Sequence, residues 1–243
     1  MSPRNWDRAA DSPSVNGMSQ VEIVLVHGAW HGSWCWEPLR VELAALGRRS
    51  HAVDLPSASG PAFGVDADAK VVRETVDSVS GSVLLLGHSY GGIPVSQAAA
   101  GAQNIARLVY LAAFQLDEGA SLLSSVGAEL PADQESVPLG DDTIDRFYAD
   151  VPADLARDAV SRLRPHSAQS WRDEQSAAGW RDIPSTYVLC EQDKAIRVEF
   201  QAELARRADE VRRLDAGHSP FLSMPAELAA MLDEIASAAD DAS

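Results

Sequence analysis

The chain has 243 residues, 46% of them hydrophobic, enough for one sizeable core of the larger single-domain kind with room for an inserted lid. Lys and Arg number 20 against 36 Asp and Glu, a formal net charge of -16. A surface that acidic repels phosphate backbones and anionic lipid, which argues against nucleic-acid and membrane partners.

The first stretch, "MSPRNWDRAADSPSVNG", is polar and lacks the apolar segment of a signal peptide. Residues 1–18 therefore read as a disordered extension, with Met18 as an alternative start. No run reaches the ~18 apolar residues of a membrane span. A cytoplasmic protein is expected. Cys35 and Cys190 are far apart in sequence and in no metal-ligand spacing, so they read as two buried free thiols.

Six short runs rich in Val, Leu, Ile or Tyr follow in order. They are Val21–Val26, Arg49–Val53, Ser82–Leu86, Arg107–Leu111, Thr186–Leu189 and Val211–Leu214. The better ones are apolar at nearly every position, the pattern of strands covered on both faces in a parallel sheet. Helical patterns separate most of them. Trp36–Leu46 repeats Leu39, Leu43 and Leu46; Ala67–Ser78 carries Val72, Val76 and Val79; Gly91–Ala100 is Ala-rich; Val198–Ala208 and Ala226–Ala238 follow the later strands. The alternation predicts an α/β fold with about six mostly parallel strands flanked by helices. Residues 19–113 and 183–243 form its core.

Between Phe114 and Asp182 no convincing strand stands out, and two amphipathic segments do, Thr143–Ala149 and Ala153–Leu163. A bare loop of that length does not suit a compact domain. Residues 114–182 are expected to be a helical cap inserted after the fourth strand.

Gly87-His88-Ser89-Tyr90-Gly91 closes the third run and opens a helix, fitting G-x-S-x-G, the nucleophile elbow. The turn is so tight that Ser89 must sit in strained backbone, and side chains at the flanking positions would clash. The following helix aims its N-terminal N–H groups at the spot where negative charge would develop.

A serine nucleophile needs a base. Of the six histidines, His218 lies in "LDAGHSPF", just past the last run, at the sheet edge where open α/β folds collect their chemistry. An acid must orient that base. Asp193 in "YVLCEQDKAI" is the leading candidate and Asp117 in "YLAAFQLDEG" the rival; Asp215 lies too close to His218. The oxyanion needs two N–H donors. One is expected from Tyr90, after the nucleophile, and one from Ala29 in "VHGAWHGSW". Trp30, Trp34 and Trp36 either line an acyl pocket or pack under the next helix. Leu122, Leu123, Phe147 and Leu163 hint at an apolar substrate group.

"VLVHGAWHGSWCW", "LLLGHSYGG", "YVLCEQDKAI" and "AGHSPFLSMPAEL" resemble the α/β-hydrolase superfamily. Within it they look like the branch of plant methyl esterases (the salicylate-binding proteins), hydroxynitrile lyases and bacterial carboxylesterases. "RLRPHSAQSW" is similar to the cap's return segment in the bacterial members. The resemblance implies the hydrolase fold, a cap, Ser89, Asp193 and His218 as triad, and no cofactor or metal. Hydroxynitrile lyases follow their base histidine with a lysine; Ser219 stands here, against that activity. A glycine often follows the proline after the second strand, where this chain has Ser57. The expected function is hydrolysis of a small-molecule carboxylic ester. A lyase or C–C cleavage on the same residues, and a non-catalytic binder, are the alternatives.

Overall fold

The computed structural model describes residues 20–240. The extension expected at residues 1–18 lies outside the described residues. The main sheet contains β1 (Glu22–Val26), β2 (Ser50–Val53), β3 (Val83–His88) and β4 (Ile105–Leu111). Two further strands, β5 (Ser136–Val137) and β6 (His166–Ser167), form a separate antiparallel pair, and β7 (Ser185–Cys190) and β8 (Glu210–Leu214) complete the main sheet. Its order is β2-β1-β3-β4-β7-β8 and every pairing is parallel. This is the expected α/β-hydrolase fold.

Side chains of a strand alternate between faces, and both faces here are covered. Ile23 and Leu25 of β1 and Leu84 and Leu86 of β3 join one core. It is closed by α1 (Glu37–Ala45) and by α10 (Pro225–Asp240) through Leu39, Leu43, Leu228 and Leu232. Val24, Val26, Val83 and Leu85 point to the opposite core, closed by α2 (Val65–Ser78) and α3 (Gly92–Ala99) through Val72, Val76 and Ile93. All six residues of β3 are buried, which is why its run is continuously apolar. The edge strand β8 alternates instead, and its exposed Arg213 pairs with Glu191. A charged edge resists pairing with a second sheet.

The chain leaves β1 toward β2 and then returns across it to β3. The loops at the C-terminal ends of β1 and β3 therefore diverge from neighbouring strands and leave a crevice between them, the place where such sheets bind ligands. Residues 112–184, between β4 and β7, add no strand to the main sheet. They hold α4 (Leu122–Val126), α5 (Thr143–Phe147), α6 (Ala153–Arg162) and α7 (Ala168–Arg172) as well as β5 and β6. Two-residue strands and five-residue helices are too short to carry a periodic signal, so β5, β6, α4 and α7 were not legible in the sequence. After β7 come α8 (Val198–Leu204) and the short α9 (Pro220–Ser223). No helix among the described residues is long and apolar enough to cross a membrane.

Candidate active site

Ser89 follows directly on β3 and has a φ of 54°, a left-handed conformation that costs a non-glycine residue roughly 1–3 kcal/mol. Its neighbours make that turn possible. A Cβ on Gly87 would lie 2.8 Å from the Gly91 carbonyl oxygen, and one on Gly91 would lie 2.6 Å from the His27 carbonyl oxygen. The backbone of the elbow thus packs directly on the loop leaving β1.

His218 sits in the loop between β8 and α9 and is buried. Its Nδ1 lies 2.7 Å from Asp193 Oδ2. Asp193, in the turn after β7, is itself buried and fully engaged. Its Oδ1 accepts from the N–H groups of Ala195 (2.7 Å) and Ile196 (2.9 Å), and its Oδ2 also accepts from Gln201 Nε2 at 3.0 Å. Four donors hold this carboxylate in one orientation. The rival acids are elsewhere: Asp117 pairs with Arg181 and Arg207, and the exposed Asp215 accepts from Gln192.

Ser89, His218, Ala29 and Tyr90 all line one cavity of about 310 Å³. Its walls are largely apolar, with Trp30, Phe114, Leu122, Phe147, Trp171 and Ile196 among them. The three tryptophans separate. Trp30 lines the cavity, with its ring 5.3 Å from Trp171 and 5.5 Å from Phe147. Trp36 is fully buried against Phe221 in the core, and Trp34 lies under the Arg162 guanidinium. Of the four apolar residues singled out in residues 114–182, Leu122 and Phe147 line the cavity, whereas Leu163 packs in the core.

The peptide that precedes Ala29 is held by a histidine. His27 presents Nδ1–H to the Gly28 carbonyl at 2.8 Å, while its Nε2 accepts from the Leu55 N–H at 3.0 Å. A trans peptide points its C=O and N–H in opposite directions, so holding the Gly28 carbonyl also sets the direction of the Ala29 N–H. Burial lowers the His27 pKa, consistent with a neutral ring that donates at one nitrogen and accepts at the other.

Tyr90 is anchored on the far side of the elbow. Its hydroxyl donates to Asp68 Oδ2 at 2.6 Å; Ser57 adds its hydroxyl at 2.5 Å and its N–H at 2.9 Å to the same carboxylate. Asp68 is buried, and that burial raises its pKa against the opposing effect of these donors. Ser57 therefore supplies two of the three hydrogen bonds on a buried carboxylate. Tyr90→Phe removes the third and is expected to lower unfolding stability by about 1.5–3 kcal/mol, the range for a hydrogen bond to a charged group. Urea denaturation of the two proteins checks this; equal midpoints would mean that the Tyr90 hydroxyl contributes nothing.

The sequence marks His27 through the His27-Gly28 pair of the loop after β1, but gives no sign of Asp68 or Gln201 as supporting residues. Gln201 is a buried amide eight positions after Asp193, on the inner face of α8, where a buried polar residue needs a partner. Among the described residues no cluster of three or more His, Cys, Asp or Glu could hold a metal ion. Both cysteines are buried and free, and burial pushes their thiols well above the usual range.

Ser89, His218 and Ala29 line one cavity beyond the C-terminal ends of β1 and β3, with Asp193 behind His218. The profile of the alpha/beta hydrolase family matches residues 23–231, and the chain belongs to that family. It is 30% identical to a probable hydrolase of a Phoma species, over 90% of this chain and 99% of the relative. It is also 30% identical to salicylic acid-binding protein 2 of Nicotiana tabacum, over 88% of this chain and 96% of that protein. The crystal structure of a methylesterase from Arabidopsis superposes with a TM-score of 0.77 at 25% identity, covering 89% of this chain and 99% of the other. The branch suggested by the sequence motifs is the one these relatives represent.

Proposed function

We propose that the protein is a serine carboxylic ester hydrolase acting on a small, apolar molecule through an acyl-enzyme. The observation that carries this reading is the buried His218–Asp193 pair, 2.7 Å apart, opening onto the same apolar cavity as the strained Ser89. Esterases and methylesterases among the relatives support it.

Ser89 Oγ attacks the ester carbonyl carbon and gives its proton to His218 Nε2. Asp193, bonded at Nδ1, keeps the imidazole in the tautomer with a free Nε2 lone pair and stabilises the imidazolium that forms. The carbonyl oxygen becomes an oxyanion, met by the N–H groups of Ala29 and Tyr90. Collapse breaks the ester C–O bond, and the leaving alcohol takes the proton from His218. A water molecule, deprotonated by His218, attacks the acyl-enzyme through a second oxyanion. The acid leaves and Ser89 recovers its proton. In this reading residues 114–182 act as a cap whose Leu122, Phe147 and Trp171 contact the apolar part of the substrate.

A p-nitrophenyl ester series of increasing acyl length, run beside a fluorophosphonate probe, tests the reading. Turnover with a single optimum at short to medium acyl length is expected, together with stoichiometric labelling of Ser89. A protein that turns over no ester and takes no label would be a binder, because a lyase working on the same serine would still take the label. Labelling without turnover would leave a serine enzyme of a narrower substrate class.

A further inference from the structure

The loop after β1 is tied to the 112–184 insertion at several of its polar groups. The Ala29–Trp30 peptide is held at both ends: its carbonyl accepts from His31 Nδ1–H at 2.8 Å, and its N–H reaches His166 Nδ1 at 3.4 Å. The next carbonyl, that of Trp30, accepts from the Arg164 N–H at 2.9 Å. The Trp30 indole donates to the Val137 carbonyl at 2.8 Å. His31 Nε2 in turn accepts from the Tyr148 hydroxyl at 2.7 Å. Val137, Tyr148, Arg164 and His166 all belong to the insertion, whereas the loop belongs to the core.

Trp30 needs this support. Its φ of 63° lies in the left-handed region, which a large side chain does not hold unaided. The loop that carries one proposed oxyanion donor is therefore a strained segment whose shape is set from outside. Tyr148 and His31 form an unbroken chain, O–H to N, then N–H to O=C, and both side chains are buried, 1% and 3% exposed. Each hydrogen bond in such a chain polarises the next, and the low surrounding dielectric strengthens both.

We propose that the insertion, through Tyr148 and His31, positions the loop N–H of the oxyanion hole, making Tyr148 and His31 positioning residues for the reaction. The inference rests on the serine-hydrolase reading above. An oxyanion donor works only within a narrow distance window, about 2.7–3.1 Å from the developing charge. Releasing His31 lets the Ala29–Trp30 peptide relax; His27 still holds the Gly28 carbonyl, so the adjoining Ala29 N–H shifts within that window and weakens without being lost. The loss falls on the transition state, where the charge is present, and spares the bound ester, where it is not. A contact that served stability alone would lower the melting temperature and leave this discrimination untouched.

Tyr148→Phe keeps the ring and removes only the hydroxyl. His31→Asn keeps an amide donor for the Ala29 carbonyl but lacks the far ring nitrogen that Tyr148 reaches. Three readouts are compared with wild type: kcat on a p-nitrophenyl ester, the inhibition constant of an alkyl trifluoromethyl ketone, and that of the matching methyl ketone. The trifluoromethyl ketone adds Ser89 and places an oxyanion in the hole; the methyl ketone binds without doing so. Tyr148→Phe is expected to lower kcat and weaken the trifluoromethyl ketone by the same factor, about 5- to 50-fold, below the ~100–1,000-fold cost of losing a donor outright. KM and the methyl ketone constant should stay within twofold. Adding Tyr148→Phe to His31→Asn should cost no further activity, since the two act through one chain. Unchanged trifluoromethyl ketone affinity in both variants, with Ser89 still labelled by the fluorophosphonate, overturns the inference and leaves the hydrolase reading standing. An unlabelled wild-type protein overturns both.

Discussion

Replacing Ser89 with alanine is expected to lower ester hydrolysis by roughly 10⁵–10⁶-fold, the scale seen when the nucleophile of a serine hydrolase is removed. Nothing in the cavity can substitute for it: the walls are mostly apolar, and both cysteine thiols are buried in the core with their pKa values raised. What remains should come from the oxyanion donors and from binding, which still favour attack by water. Asp193→Asn leaves the carboxylate's shape in place but imposes the wrong histidine tautomer, and a loss of about 10⁴-fold is expected. The Ser89→Ala protein should unfold at nearly the wild-type temperature, since the substitution removes one oxygen at a partly exposed position whose backbone strain persists. Steady-state rates on the best p-nitrophenyl ester, with a thermal melt alongside, decide the matter. More than 1% residual activity in pure Ser89→Ala protein would move the nucleophile elsewhere.

The second large effect is on stability in mild acid. Four histidines besides His218 are buried: His27, His31, His88 and His166. Burial lowers the pKa of His31 and of His166 from 6.5 to about 3, and burial lowers those of His27 and His88 as well. These rings stay neutral in the folded protein and become free to protonate once the chain unfolds. Below pH 6.5 the unfolded state therefore binds more protons, and stability falls with pH until the folded-state pKa values are reached. At pH 5.5 each ring that is neutral only when folded costs roughly 1 kcal/mol, so His31 and His166 together remove roughly 2–3 kcal/mol. His27 and His88 act in the same direction. Asp68 acts in the opposite one, since its raised pKa lets the folded state take up a proton first. Against a total stability of about 5–15 kcal/mol, that is a sizeable share of the margin. Urea midpoints at pH 7.5, 6.5 and 5.5 should fall steeply over the last step, and a flat profile across that range would show that these rings titrate alike in both states.

The same histidines show where sequence reasoning stops. Ser89, His218 and Asp193 were legible because each stands in a local context that chemistry demands: a glycine-flanked elbow, a loop just past the last strand, a carboxylate past the strand before it. The sheet was legible because β3 is apolar at its strand positions before Gly87, as a strand covered on both faces must be. Chain context puts Asp193 ahead of Asp117, and distance in space separates them. One carboxylate meets His218 at 2.7 Å while the other is bound by two arginines on the surface. His31 and His166 carry no such local mark, because their roles are relations between segments far apart in the chain: His31 to Tyr148 is 117 residues, Trp30 to His166 is 136.

The sequence by itself therefore determined the doubly wound sheet, the elbow and the chain order of Ser89, Asp193 and His218, since strand burial, turn sterics and chain order are properties of neighbouring residues. Only the tertiary structure decided which acid meets the base, which tryptophan faces the cavity, and how the insertion grips the loop after β1. Those outcomes depend on hydrogen bonds and packing between segments that meet only when the sheet and the insertion close over the same crevice.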